Sequence, residues 1–95
     1  MSYKDDLERA DALFIQERLQ EALDAYDAIY KQDSSLAIVQ LRRGITKLKI
    51  GKYSSAISDL VEARIKDKSL EASALEFEAR ALFYSEDFKM AEEKF

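Results

Sequence analysis

The chain has no cysteine, no histidine, no proline and no tryptophan, and only two glycines in 95 residues. Without cysteine there is no disulfide framework and no thiolate nucleophile. Without histidine there is no imidazole base and none of the usual zinc or haem ligands. Proline is absent and glycine rare, so almost nothing interrupts a helix; alanine, leucine, glutamate, lysine and arginine dominate, all good helix formers. No apolar run approaches the ~20 residues that span a bilayer. The first residues, Met1 to Asp6, lack the apolar stretch of a secretory signal, which leads us to expect a cytoplasmic protein with no membrane insertion. No glycine-rich phosphate loop or metal-ligand spacing occurs. The paired carboxylates Asp5-Asp6 and Glu92-Glu93 are sequence neighbours that diverge around a helix, so catalysis, cofactors and bound metals are not expected. The net charge of −4 argues against nucleic acid as a partner.

What is present is an all-α pattern in one domain, residues 1–95. Apolar residues are 47% and charged residues 36% of the chain, as in a soluble helical protein. Ser2 stands as the cap of a first helix. Leu7, Ala10, Leu13 and Phe14 share one helical face, and Leu19, Ala22, Leu23, Tyr26, Ile29 and Tyr30 share another. The change of face across Gln16-Glu17-Arg18 marks a turn. Ser34 or Ser35 caps a third helix that carries Ile38, Leu41, Ile45 and Leu48. Gly51 ends it, as a residue that reaches positive φ cheaply. A fourth helix carries Tyr53, Ala56, Ile57, Leu60, Val61 and Ala63. Ser69 caps a fifth, with Leu75, Ala79, Leu82 and Phe83 as its apolar face. Ser85-Glu86-Asp87 breaks that face, and Phe88, Ala91 and Phe95 begin a sixth helix.

The helices repeat. Ala22, Ala56 and Ala91 are spaced by 34 and 35 residues, and so are Ala10, Gly44 and Ala79. Leu19, Tyr53 and Phe88 keep the same spacings, as do Tyr26, Leu60 and Phe95. Four columns with one period define units 3–36, 37–70 and an incomplete 71–95. A two-helix unit of this length resembles the tetratricopeptide repeat. The small residue of the family's first helix stands at Ala10, Gly44 and Ala79, its second-helix alanine at Ala22, Ala56 and Ala91, and its turn aromatic at Tyr53 and Phe88. The chain departs from the pattern at Asp6, Gln40 and Leu75, where an aromatic often opens the first helix, and at Ser34 and Lys68, where proline often closes a unit. The resemblance implies antiparallel hairpins stacked as a right-handed α-solenoid, with the first helix of each unit lining a concave groove.

The function so implied is that of a non-catalytic scaffold or adaptor that binds a peptide or protein segment. Charge splits by unit. Residues 1–36 hold 4 basic and 9 acidic side chains, residues 37–70 hold 8 and 3, and residues 71–95 hold 3 and 7. The middle unit is a basic band between acidic ones. Its Arg42 and Lys49, with Arg80 of the third unit, are candidates to meet an acidic peptide or a terminal carboxylate. Asp11, Ile45, Phe77 and Tyr84 complete the candidate groove. The same charges would equally serve to pair neighbouring units internally. Relatives that clamp a chaperone's terminal carboxylate need lysine, asparagine or arginine at places held here by Leu7, Asp11, Arg42, Ser73 and Phe77. These do not fit, so such a peptide is not expected to bind in that pose. Two other readings stand beside the groove. Leu82, Phe88, Ala91 and Phe95 offer an apolar end for homo-oligomerisation, and Phe77, Phe83 and Tyr84 resemble the sticky surface of co-chaperone repeats that hold unfolded clients.

Overall fold

The computed structural model describes residues 3–93, with side-chain environments for residues 3–86. Five α-helices follow one another: α1 (Tyr3–Ile15), α2 (Leu19–Gln32), α3 (Ala37–Ile50), α4 (Tyr53–Lys66) and α5 (Glu71–Glu93), the last preceded by a 3₁₀ turn, Lys68–Leu70. No strand occurs among the described residues. Each helix packs chiefly on its neighbours in sequence, and α3 also touches α5. The result is elongated, 51 × 28 × 19 Å.

The hairpins close by one geometry. Gly51, at φ 100°, donates its N–H to the Lys47 and Leu48 carbonyls, and Lys52 N–H donates to Lys47 at 2.9 Å. At the corresponding place in the first hairpin, Glu17 takes φ 63°, and Arg18 N–H donates to the Leu13 carbonyl at 3.0 Å. A glutamate in the left-handed region costs about 1–2 kcal/mol. Burial of Ala22, Leu23, Tyr26 and Ile29 by the closed hairpin offsets it. Glu17→Gly is therefore expected to stabilise the protein by about 0.5–1 kcal/mol, part of the relief being lost to glycine's larger unfolded-state freedom. A raised urea midpoint with unchanged slope would verify this.

The turns between units also repeat. Asp33 accepts the N–H (3.0 Å) and hydroxyl (2.6 Å) of Ser35, and Asp67 accepts those of Ser69 at 3.0 and 2.7 Å. These bonds hold both carboxyls below the ordinary carboxylate value, the serine hydroxyls first and the backbone N–H groups second. Here the expected caps are corrected. Leu36, not Ser34 or Ser35, occupies the N-cap of α3 and makes no side-chain cap bond. Ser69 is inside the 3₁₀ turn as the donor to Asp67. In both turns the serine hydroxyl donates to the aspartate carboxylate two residues before it, which aims it away from the free N–H groups of the helix that follows. Ser2 lies outside the described residues.

The third unit differs from expectation. No turn forms at Ser85-Glu86-Asp87; α5 runs straight through to Glu93. Glu86 is the counterpart of Gly51 and Glu17, yet it stays helical. None of the three polar residues is a helix breaker, and continuing the helix keeps its hydrogen bonds without a left-handed residue. The buried face of α5 is also not the expected one. Ala74, Glu78 and Ala81 are buried with Phe77 beside them, whereas Leu75, Ala79, Leu82 and Phe83 face outward.

Candidate functional site

Three turns of α3 organise one face of the molecule. Arg42, Ile45 and Lys49 lie three and four residues apart, hence on one side of the helix. Asp11 reaches this side from α1; Phe77, Arg80 and Tyr84 reach it from α5. The seven residues line two hollows. The first, about 250 Å³, is lined by Asp11, Phe14, Ile15, Tyr26, Arg42 and Ile45. The second, about 300 Å³, is lined by Leu48, Lys49, Tyr53, Phe77, Arg80 and Tyr84. Lys49 joins them: it borders the second hollow while its Nζ lies 4.9 Å from the ring centre of Phe14 in the first.

The first hollow has a polar floor. Tyr26, fully buried, donates its hydroxyl to Asp11 Oδ1, and Arg42 donates to Asp11 Oδ2 at 2.6 Å. Burial, then the Asp11 hydrogen bond and charge, push the Tyr26 hydroxyl well above its ordinary value, so it remains a donor. Arg42 is thus already partnered. About a third of each side chain in the pair is exposed. In the second hollow, Arg80 pairs with Glu76 at 3.0 Å across one helical turn, and its guanidinium stands 5.1 Å from the Phe77 ring centre. Tyr84 stacks on Tyr53 at 6.3 Å between centroids.

Behind this face lies a denser charge cluster on the hairpin side of α3. Asp59 of α4 is buried, and its oxygens accept Arg43 Nη2 at 2.7 Å, Arg43 Nε at 3.0 Å and Lys47 Nζ at 2.8 Å. Arg43 continues to Asp27 at 3.4 Å and lies 3.9 Å over the Tyr30 ring of α2. Gln40, also buried, donates to Glu62 at 2.5 Å and accepts Lys66 Nζ at 2.7 Å. Between the second and third units, Arg64 binds Glu78 at 2.7 Å. No buried side-chain polar atom among the described residues lacks a partner.

Half of the cations of the basic band are therefore spent on cohesion. Arg42, Arg43, Lys47 and Arg64 are each held by a carboxylate from another helix. Of the three cations expected to face a partner, Lys49 has, among the described residues, only an aromatic neighbour, and Arg80 has an exposed pair within its own helix, a type that contributes little. The sequence reading did not include Phe14, Ile15, Tyr26, Leu48 and Tyr53 among the groove residues. Ile15, 77% exposed at the end of α1, was the signal available, being an apolar residue off the core face. Leu82 is 55% exposed at the far side of α5, while the side chains of Phe88, Ala91 and Phe95 lie outside the described residues. Among the described residues no three carboxylates gather where a metal could sit, and no helix is long and apolar enough to cross a membrane.

Comparison with protein-family models, with curated proteins and with solved structures finds no match.

Proposed function

We propose that the chain is a non-catalytic interaction module of the tetratricopeptide-repeat kind that holds a peptide or protein segment along the face shared by α1, α3 and α5. The observation that supports this is the pair of hollows joined at Lys49, which three successive first helices line. The first hollow offers an apolar wall of Phe14, Ile15 and Ile45. The second offers Tyr53, Phe77 and Tyr84 beneath two cations. A segment with an apolar side chain followed by an acidic group fits this order: the apolar group enters by Ile15 and Ile45, and the carboxylate meets Lys49 and Arg80.

Lys49 and Arg80 carry the charge recognition in this reading, and Arg42 positions Asp11. Arg42→Glu would set a carboxylate against Asp11 and the buried Tyr26, so it tests folding more than binding. The cleaner test is Lys49→Glu. With peptides selected on the wild type, Lys49→Glu is expected to weaken binding by about tenfold or more, ~1.4 kcal/mol, while Lys68→Glu, in the turn before α5, leaves it unchanged. Equal calorimetric affinity of wild type and Lys49→Glu would reject the groove.

A further inference from the structure

The floor of the first hollow carries unused hydrogen-bonding capacity. An ionised carboxylate has about four lone-pair sites, and Asp11 engages one on each oxygen: Oδ1 accepts the Tyr26 hydroxyl and Oδ2 accepts Arg42 Nη1. A guanidinium has five N–H donors, and among the described residues Arg42 engages one of them, with Asp11. Both side chains line the hollow and remain partly open to solvent, 33% for Asp11 and 37% for Arg42. An occupant therefore meets an unused acceptor and unused donors side by side. Phe14, Ile15 and Ile45 make the surrounding wall apolar, and Ile15 is 77% exposed.

Charge narrows what can enter. A cationic group would meet Asp11, but Arg42 already neutralises that carboxylate, and Lys49 stands beside the Phe14 ring. A carboxylate would meet Arg42 with Asp11 next to it. A neutral group that both donates and accepts meets neither repulsion. An aliphatic or phenyl side chain would fill the apolar wall but strip water from Asp11 and Arg42 without replacing its hydrogen bonds. An indole N–H only donates, whereas a phenol donates and accepts at the tip of an apolar ring. Building on the reading of this face as a peptide groove, we propose that the side chain entering the first hollow is a tyrosine of the bound segment. Its hydroxyl donates to Asp11 and accepts from Arg42, and its ring covers Phe14, Ile15 and Ile45. Tyr26 is a positioning residue: buried beneath the hollow, it holds Asp11 through Oδ1. The class recognised is an unphosphorylated tyrosine followed by an acidic residue, since a phosphate would add negative charge against Asp11.

Varying the ligand tests this without disturbing the fold. Peptides with a randomised anchor position ahead of a fixed acidic residue are selected on the full chain. Tyrosine is expected at the anchor, and its replacement by phenylalanine should weaken calorimetric affinity by about tenfold, as a hydrogen bond to a charged group is lost. In Tyr26→Phe, which loosens Asp11, that preference should shrink while affinity for the phenylalanine peptide stays unchanged. In the Asp11→Ala, Tyr26→Phe double variant, which removes both partners of the buried bond and leaves no orphaned hydroxyl, the two peptides should bind equally. Lys49→Glu should weaken both peptides alike and leave their ratio unchanged. Selection of phenylalanine or leucine at the anchor, or equal affinity of the tyrosine and phenylalanine peptides for the wild type, would overturn the tyrosine assignment. If Lys49→Glu still weakens binding in that case, the groove stands without it. If selection yields no binder, both fall. The wild-type comparison decides even if the double variant does not fold.

Discussion

Replacing Asp59 by alanine is expected to lower the unfolding free energy by about 3–5 kcal/mol, a large part of the roughly 5–15 kcal/mol of a domain this size. The carboxylate is buried at the contact of α3 and α4 and bonds two cations, Arg43 and Lys47, each with only 14% of its side chain exposed. Removing it leaves two largely buried positive charges facing each other, with Lys47 keeping the Ser55 hydroxyl in place of a carboxylate. Arg43 would keep Asp27, but at 3.4 Å and with that partner 39% exposed. The opposite pull of burial and pairing can be read from titration. Burial pushes the Asp59 carboxyl up, but the hydrogen bonds and charges of Arg43 and Lys47 outweigh it and hold the group below its ordinary value of 3.8. Its charged form therefore contributes stability above that value, and the contribution is lost as pH falls through the lower folded value. Asp59→Asn keeps the shape and removes the charge. Its deficit in urea unfolding should be full at neutral pH and shrink in acid, below the ordinary value of 3.8, as the wild-type carboxyl protonates. A deficit independent of pH would assign the loss to geometry instead.

Gly44→Leu should cost about 3 kcal/mol, the upper part of the usual range for overpacking. A Cβ at Gly44 would stand 3.1 Å from Asp59 Cβ, 3.1 Å from Leu60 Cγ and 3.2 Å from the Ala56 carbonyl oxygen. The last is backbone and cannot rotate away. Alanine needs a shift of a few tenths of an ångström, and its better helix propensity returns up to ~1 kcal/mol, so Gly44→Ala should be mildly destabilising. Leucine has no such outlet: α3 and α4 must separate, and the atom met first belongs to the residue that anchors Arg43 and Lys47. The Gly44→Leu and Asp59→Ala losses should therefore fall short of additive, by more than the ~0.5 kcal/mol expected of distant sites. Denaturant unfolding of both single variants and the double variant measures this. Additive losses would mean that the helices yield elsewhere and leave the charge cluster intact.

Much of the architecture was legible because steric repeats leave marks in sequence. The Ala10–Ala22 and Gly44–Ala56 columns are small since backbones approach there, and the structure buries all four. Gly51 announced its turn through the one conformation glycine favours. Glu17 and Glu86 show where such reading fails. Both sit in polar triplets at the same column, yet one turns and the other does not. The outcome depends on what the returning helix can bury, a tertiary quantity. Pairing was equally hidden. The joint that places Arg43 over Tyr30 between the first two units becomes Arg64 with Glu78 between the next two, at the same columns with different chemistry. Counting charges by unit marked the middle as basic, but not that Asp11, Asp27, Asp59 and Glu78 take up half of its cations.

The chain of neighbour-only contacts also sets the order in which the molecule assembles. Helices that pack mainly on the next helix in sequence need only short loops to close, so the entropic barrier is low and folding falls in the microsecond-to-millisecond class of helical domains. The α3–α4 hairpin combines an inexpensive turn, at Gly51, with a close backbone approach, at Gly44, and the Asp59 cluster. It is expected to form early and to template α2 on one side and α5 on the other. In a folding experiment, substitutions around Gly51 should slow refolding, while those in α1 should mainly hasten unfolding.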